Sequence, residues 1–149
     1  RQKMKKTLFT IALCILYGAA SFAQEEKKSE LAVKQLTYSE FIKTIWDFEK
    51  NTDAFTYKGK LPAVIDFYAD WCGPCRRVGP IMEKMAKEYE GKLLVYKVNV
   101  DNEKQLASVF GVRSIPMVLF IPVKGKPMAQ TGALQEEQYK QIIEKELLK

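Results

Sequence analysis

The sequence contains no histidine. That absence excludes Ser-His and Cys-His catalytic pairs and any histidine-ligated metal centre. Cysteine is nearly as scarce. Cys14, Cys72 and Cys75 are the three in 149 residues, too few for a disulfide-stapled scaffold. Acidic side chains are missing from the first 23 positions, which carry Arg1, Lys3, Lys5 and Lys6. Beyond them 20 basic residues face 18 acidic ones, so the net charge of +6 belongs mostly to the N-terminal segment. No basic stripe remains to grip nucleic acid, and none is expected as a partner. Repeats and low-complexity blocks are absent. Chemistry here has to run on cysteine, carboxylate, lysine or tyrosine, with no cofactor or metal expected.

What is present is enough for one ordinary domain: 47% of the residues are hydrophobic. Residues 1–6 are basic, Leu8 to Ala20 are nearly all apolar, and Ser21-Phe22-Ala23 follows with small residues. This order is that of a secretory signal peptide, with Met4 marking the start of translation and cleavage after Ala23. A membrane anchor is the alternative, but the apolar run is shorter than the roughly 20 residues a bilayer needs. Cys14 lies mid-run behind Leu13, a position that fits a plain apolar residue and not a lipid attachment site. Export to the periplasm or another extracytoplasmic space is the expectation. Residues 24–34 are charged and aperiodic, a flexible lead-in to a domain spanning 35–149.

Within that domain, Thr37-Tyr38-Ser39-Glu40 spells a capping box, and Phe41, Ile42, Ile45 and Phe48 continue a helix to about Lys50. Three apolar runs, Ala63–Ala69, Leu93–Val100 and Met117–Ile121, lack strict alternation, as strands covered on both faces do. Val78, Met82, Met85 and Tyr89 form one helical stripe, and Leu106, Val109 and Phe110 a second, behind a possible Asp101 cap. A short strand over Pro127–Gly132 and a helix from about Gln135 close the chain. The pattern predicts an α/β fold, a three-layer sandwich around a mixed sheet.

Trp71-Cys72-Gly73-Pro74-Cys75 joins the first apolar strand to the longest helix. Pro74 suits a first helical turn, where its missing N–H costs nothing. Cys72 then sits where unpaired amides and the macrodipole favour a thiolate, and Cys75 faces the same way within disulfide reach. In such Cys-x-x-Cys sites the first thiol's pKa falls from about 8.5 to about 7. A zinc knuckle would need two further ligands that the chain lacks. A static disulfide closing four residues would restrain the unfolded chain little, and chance pairing fits a strand–helix junction poorly.

These residues resemble the active site of the thioredoxin family, and the likeness extends over residues 60–149. Val64-Ile65-Asp66-Phe67-Tyr68-Ala69 is similar to the family's central strand, with Asp66 as its buried acid. Pro80 matches its helix proline, Lys97 its lysine on the next strand, and Gly111 to Pro116 the segment ending in its cis-proline. Gly132-Ala133 matches the late glycine beside the site. The resemblance implies a thioredoxin fold, a redox-active Cys72–Cys75 pair, and assistance from Asp66 and Lys97. It also implies a peptide-docking surface of Trp71, Gly73, Pro74, Ile115, Pro116 and Gly132. Asp66 interrupts an apolar strand, which suits a proton carrier better than a solvent-facing accident. Lys97 fits an edge lysine almost as well, and Trp71 fits a core position. Read without the family, Pro116 would be trans, as most X–Pro bonds are.

The expected activity is reduction of protein disulfides by a monomer fed by a membrane or exported electron donor. An exported disulfide-forming oxidant or isomerase is the competing reading, resting on compartment alone. A binding module that merely inherited its cysteines is a third, since fold does not settle function.

Overall fold

A computed structural model describes residues 33–149. The leader over 1–23, Cys14, and the lead-in as far as residue 32 lie outside the described residues. Nine regular elements follow in chain order: β1 (Lys34–Gln35), α1 (Tyr38–Thr44), β2 (Ala63–Tyr68), α2 (Cys75–Glu88), β3 (Leu94–Asn99), α3 (Lys104–Val109), β4 (Met117–Ile121), β5 (Met128–Thr131) and α4 (Glu136–Ile142). A π turn, Ile143–Leu147, extends α4.

The strands form one mixed sheet in the order β1-β3-β2-β4-β5. β1 and β2 run parallel to β3, whereas β4 runs antiparallel to β2 and β5. β2 is central, and side-chain alternation splits it between two cores. Ala63, Ile65 and Phe67 pack with Phe41 and Ile45 on the α1 side, together with Leu106 of α3. Val64 points to the opposite face, against Val78, Met82 and Met85 of α2 and Tyr139 and Ile143 at the C-terminus. Two buried faces explain why the apolar runs lack a polar alternate. Asp66 shares the Val64 face. A carboxylate is thus turned into the α2 core.

The N-terminal part differs from expectation in two places. Residues 33 and 34 are not a loose lead-in. Val33 packs on the α2-side core, and Lys34–Gln35 pairs with Tyr96–Lys97. Both β1 side chains are exposed, so this strand is held by backbone bonds and gives no apolar signal. The first helix begins at the capping box, with Glu40 and Thr37 satisfying each other's amides, but stops at Thr44 and not near Lys50. The Ile45 carbonyl instead accepts the Lys58 N–H at 2.9 Å. Buried Asp47 draws Lys50 and Lys58 to 3.6 and 3.7 Å, which fixes a turn in place of further helix.

Phe41 is fully buried, with ring centroids 6.1 Å from Phe48 and 5.4 Å from Phe110. It ties α1 to the segment that follows α3. Phe41→Ala is expected to cost about 3–5 kcal/mol of unfolding free energy in urea titration. A loss below about 1 kcal/mol would mean that α1 is an appendage.

Candidate active site

The loop leaving β2 and the start of α2 carry the sulfur pair. Cys72 and Cys75 are joined in a disulfide, with Cα atoms 5.3 Å apart. Regular helix begins at Cys75, with Pro74 as its N-cap, so Cys72 stands one turn ahead of α2. Two i+3 bonds tighten this approach: Arg76 N–H to Gly73 O at 3.2 Å and Arg77 N–H to Pro74 O at 3.1 Å. The Cys75 N–H, one of the helix's orphan donors, points at Cys72 Sγ from 3.2 Å. A donor aimed at that sulfur stabilises its anion. α2 continues through Pro80, which forgoes one bond to the Arg76 carbonyl.

The sulfurs are shielded, with Cys72 3% and Cys75 5% exposed. They pack with Ala69 and touch Tyr68, Val100 and Ile115. The Ile115–Pro116 peptide bond is cis. Pro116 O accepts the N–H of Gly132, which has a φ of 91°, at 2.8 Å. This bond carries the β4–β5 pairing past the strand ends, where glycine takes the left-handed backbone without strain. Among the described residues nothing bonds to the backbone N–H or C=O of Ile115. A groove of about 340 Å³ lies alongside, lined by Trp71, Val100, Val112, Arg113, Ser114 and Ile115.

Trp71 is 70% exposed, so the core reading of this residue is wrong. Its indole N–H donates to Asp101 at 2.8 Å. Asp101 is not the cap of α3: Glu103 holds that position, and Asp101 serves the tryptophan instead. Buried Asn99 sets it up, accepting the Asp101 N–H at 3.0 Å and donating to Asp70 at 3.4 Å. Sequence reasoning missed this pair. Trp71 and Asp101 are 30 positions apart, but parallel pairing of β2 with β3 puts the loops behind both strands side by side.

Behind the disulfide lies a cavity of about 210 Å³ whose lining includes Asp66, Tyr68, Cys75, Arg76 and Lys97. Asp66 is 4% exposed, and its Oδ1 has no hydrogen-bond partner. Burial pushes its pKa up to about 7, partly opposed by the Lys97 charge. Lys97 is the register partner of Asp66 on β3. It is not an edge lysine, because β1 pairs on its far side and Leu36 N–H donates to its carbonyl at 2.9 Å. Its Nζ lies 6.0 Å from the Tyr68 ring centre. Cys75 lines this cavity and Cys72 does not, so the acid lies on the side of the inner sulfur. Among the described residues no group of three or more Cys, Asp or Glu side chains could hold a metal ion.

A Cys-x-x-Cys disulfide at a strand–helix junction, a groove beside the outer sulfur and an acid behind the inner one are the features of a thiol–disulfide oxidoreductase. Residues 39–145 match the thioredoxin family profile. The thioredoxin of Borreliella burgdorferi is 46% identical over 108 residues, covering 72% of this chain and 92% of its own. Thioredoxin 1 of a Nostoc species is 37% identical over 116 residues, or 78% and 98% of the two chains. The chloroplastic M-type thioredoxin of spinach is 36% identical over 73% of this chain, which spans 61% of that relative. The solved structure of chloroplastic thioredoxin z shares the fold, with a TM-score of 0.62 at 22% identity over 76% of this chain and 93% of that one. The chain belongs to the thioredoxin family, and its activity is thiol–disulfide exchange with disulfide-containing proteins.

Proposed function

We propose that this thioredoxin is exported and reduces protein disulfides outside the cytoplasm, as a monomer. The order of charged, apolar and small residues over 1–23 supports the location. The geometry around Cys72 and Cys75 carries the chemistry. The reduced Cys72 thiolate, favoured by the Cys75 amide, attacks one sulfur of a substrate disulfide. The substrate's S–S bond breaks, its second sulfur leaves as a thiolate and takes up a proton, and a mixed disulfide forms on Cys72. Cys75 then gives its proton to Asp66 and attacks Cys72 Sγ. The substrate's remaining sulfur departs, and the Cys72–Cys75 bond closes with two electrons delivered to the substrate. Lys97 trims the affinity of Asp66 for that proton.

Trp71, Gly73, Pro74, Ile115, Pro116 and Gly132 form the docking rim in this reading. Ile115 offers its unengaged amide and carbonyl to an extended peptide, as in strand addition. Returning the disulfide to the dithiol takes two electrons and two protons, supplied by a membrane or exported dithiol donor.

Equilibration of residues 24–149 in thiol buffers is expected to give a potential near the thioredoxin value of about −270 mV, together with reduction of a protein disulfide such as insulin's. A potential near about −120 mV would make the protein an oxidant. Inertness toward insulin would leave only a binding role. For the location, fractionation of expressing cells should return a mature form beginning at Gln24 outside the cytoplasm. Retention inside, with residues 1–23 intact, would refute export.

A further inference from the structure

Arginine is used sparingly in this chain. Against 20 lysines there are four arginines, and three of them, Arg76, Arg77 and Arg113, lie in the segments flanking the sulfur pair. All three are exposed, and among the described residues none forms a salt bridge, although lysines elsewhere do. Arg113 lines the groove beside Trp71 and Ile115. Arg76 folds back toward the start of α2: a Cβ placed on Gly73 would stand 3.9 Å from its Nη2. It also lines the inner cavity with Cys75. One guanidinium therefore stands in the groove lining and another near the Cys-x-x-Cys loop.

The nearby acids form no salt bridge with them, although Asp70 lines the inner cavity together with Arg76. Asp101 is engaged by the Trp71 indole, and Asp70 accepts from Asn99. The mostly apolar groove thus carries one cation, Arg113, in its lining, and a second, Arg76, stands by the Cys-x-x-Cys loop; neither is salt-bridged among the described residues. A guanidinium suits carboxylate oxygens through its planar fork of donors.

We propose that Arg113 and Arg76 select substrates, favouring disulfides whose cysteine is flanked by Asp or Glu. The inference rests on the reductase reading above and adds the substrate class. The apolar floor takes the backbone and small side chains of the peptide, while each flanking carboxylate meets a guanidinium at the rim. Such exposed contacts act mainly on encounter and orientation, and salt weakens them.

The test uses three disulfides with the reduced protein. Two are cystine peptides of matched length, one with Glu and one with Lys on both sides of the cysteine. The third is neutral hydroxyethyl disulfide. Stopped-flow rates at low ionic strength are expected to favour the Glu peptide over the Lys peptide by about 5-fold or more, shrinking toward parity in 0.5 M salt. Arg113→Gln and Arg76→Gln should each reduce that ratio, and the double Arg76→Glu, Arg113→Glu variant should invert it. Equal rates for the two peptides overturn the proposal, as does a preference that survives the double reversal. Failure to reduce even hydroxyethyl disulfide would overturn the reductase reading itself, and the selectivity with it.

Discussion

Replacing Cys75 with serine should stop the reaction halfway. The variant keeps Cys72 and the groove beside it, so it still attacks a substrate disulfide, but nothing remains to break the resulting bond. A well-placed intramolecular group reaches effective concentrations of about 10⁵ M or more, far above any external thiol. Turnover of insulin under limiting external dithiol should fall on the order of 10³-fold or more. Non-reducing mass spectrometry should show substrate attached to Cys72. Cys72→Ser should be as inactive but should accumulate no adduct. The asymmetry follows from placement: Cys75 lines the inner cavity with Asp66, whereas the donor that stabilises a sulfur anion is aimed at Cys72. Adducts on Cys72→Ser and none on Cys75→Ser would reverse the two roles.

Much of this site was legible before any coordinates. The Cys-x-x-Cys pair sits at a strand–helix junction, and Asp66 breaks an otherwise apolar strand. Both signals are local in the chain. The cis bond at Pro116 was not legible from physics, since the local preference is trans, and came only through family likeness. β1 escaped notice because two exposed residues held by backbone bonds leave no pattern. The end of α1 was misplaced for a related reason. Ile45 and Phe48 keep helical spacing, but the Ile45 carbonyl is claimed by Lys58, thirteen residues on. Asp101 shows the same limit from the other side. An acid ahead of a helix reads as a cap until sheet pairing brings a tryptophan to it. Contacts carried by neighbouring residues can be read along the chain, while those made by strands meeting across the sheet cannot.

Asp66 should make the folded protein less stable as pH rises. Its carboxyl goes from an ordinary 3.8 to about 7 on folding because ionising it in the α2 core is costly. Between those values the folded state holds the proton more tightly than the unfolded chain does. Stability is therefore fullest below about pH 4, declines through the window up to about 7, and is flat above it. A shift of roughly three units at about 1.36 kcal/mol each corresponds to about 4 kcal/mol. Asp66→Asn removes the ionisation, so urea titrations of the oxidised protein should show the variant more stable by about 2–4 kcal/mol at pH 8. Near pH 4 the two proteins should converge. The same change removes the proton acceptor for Cys75, and a positioned acid–base group contributes about 10² or more to rate. Resolution of the mixed disulfide should slow by about that factor at pH 7 and recover above about pH 8.5, where a thiol ionises unaided. Lys97→Gln should move the Asp66 titration higher still, because the opposing charge is gone. A stability gap that does not vary with pH would show that Asp66 is not ionising inside the fold, and the proton route from Cys75 would have to lie elsewhere.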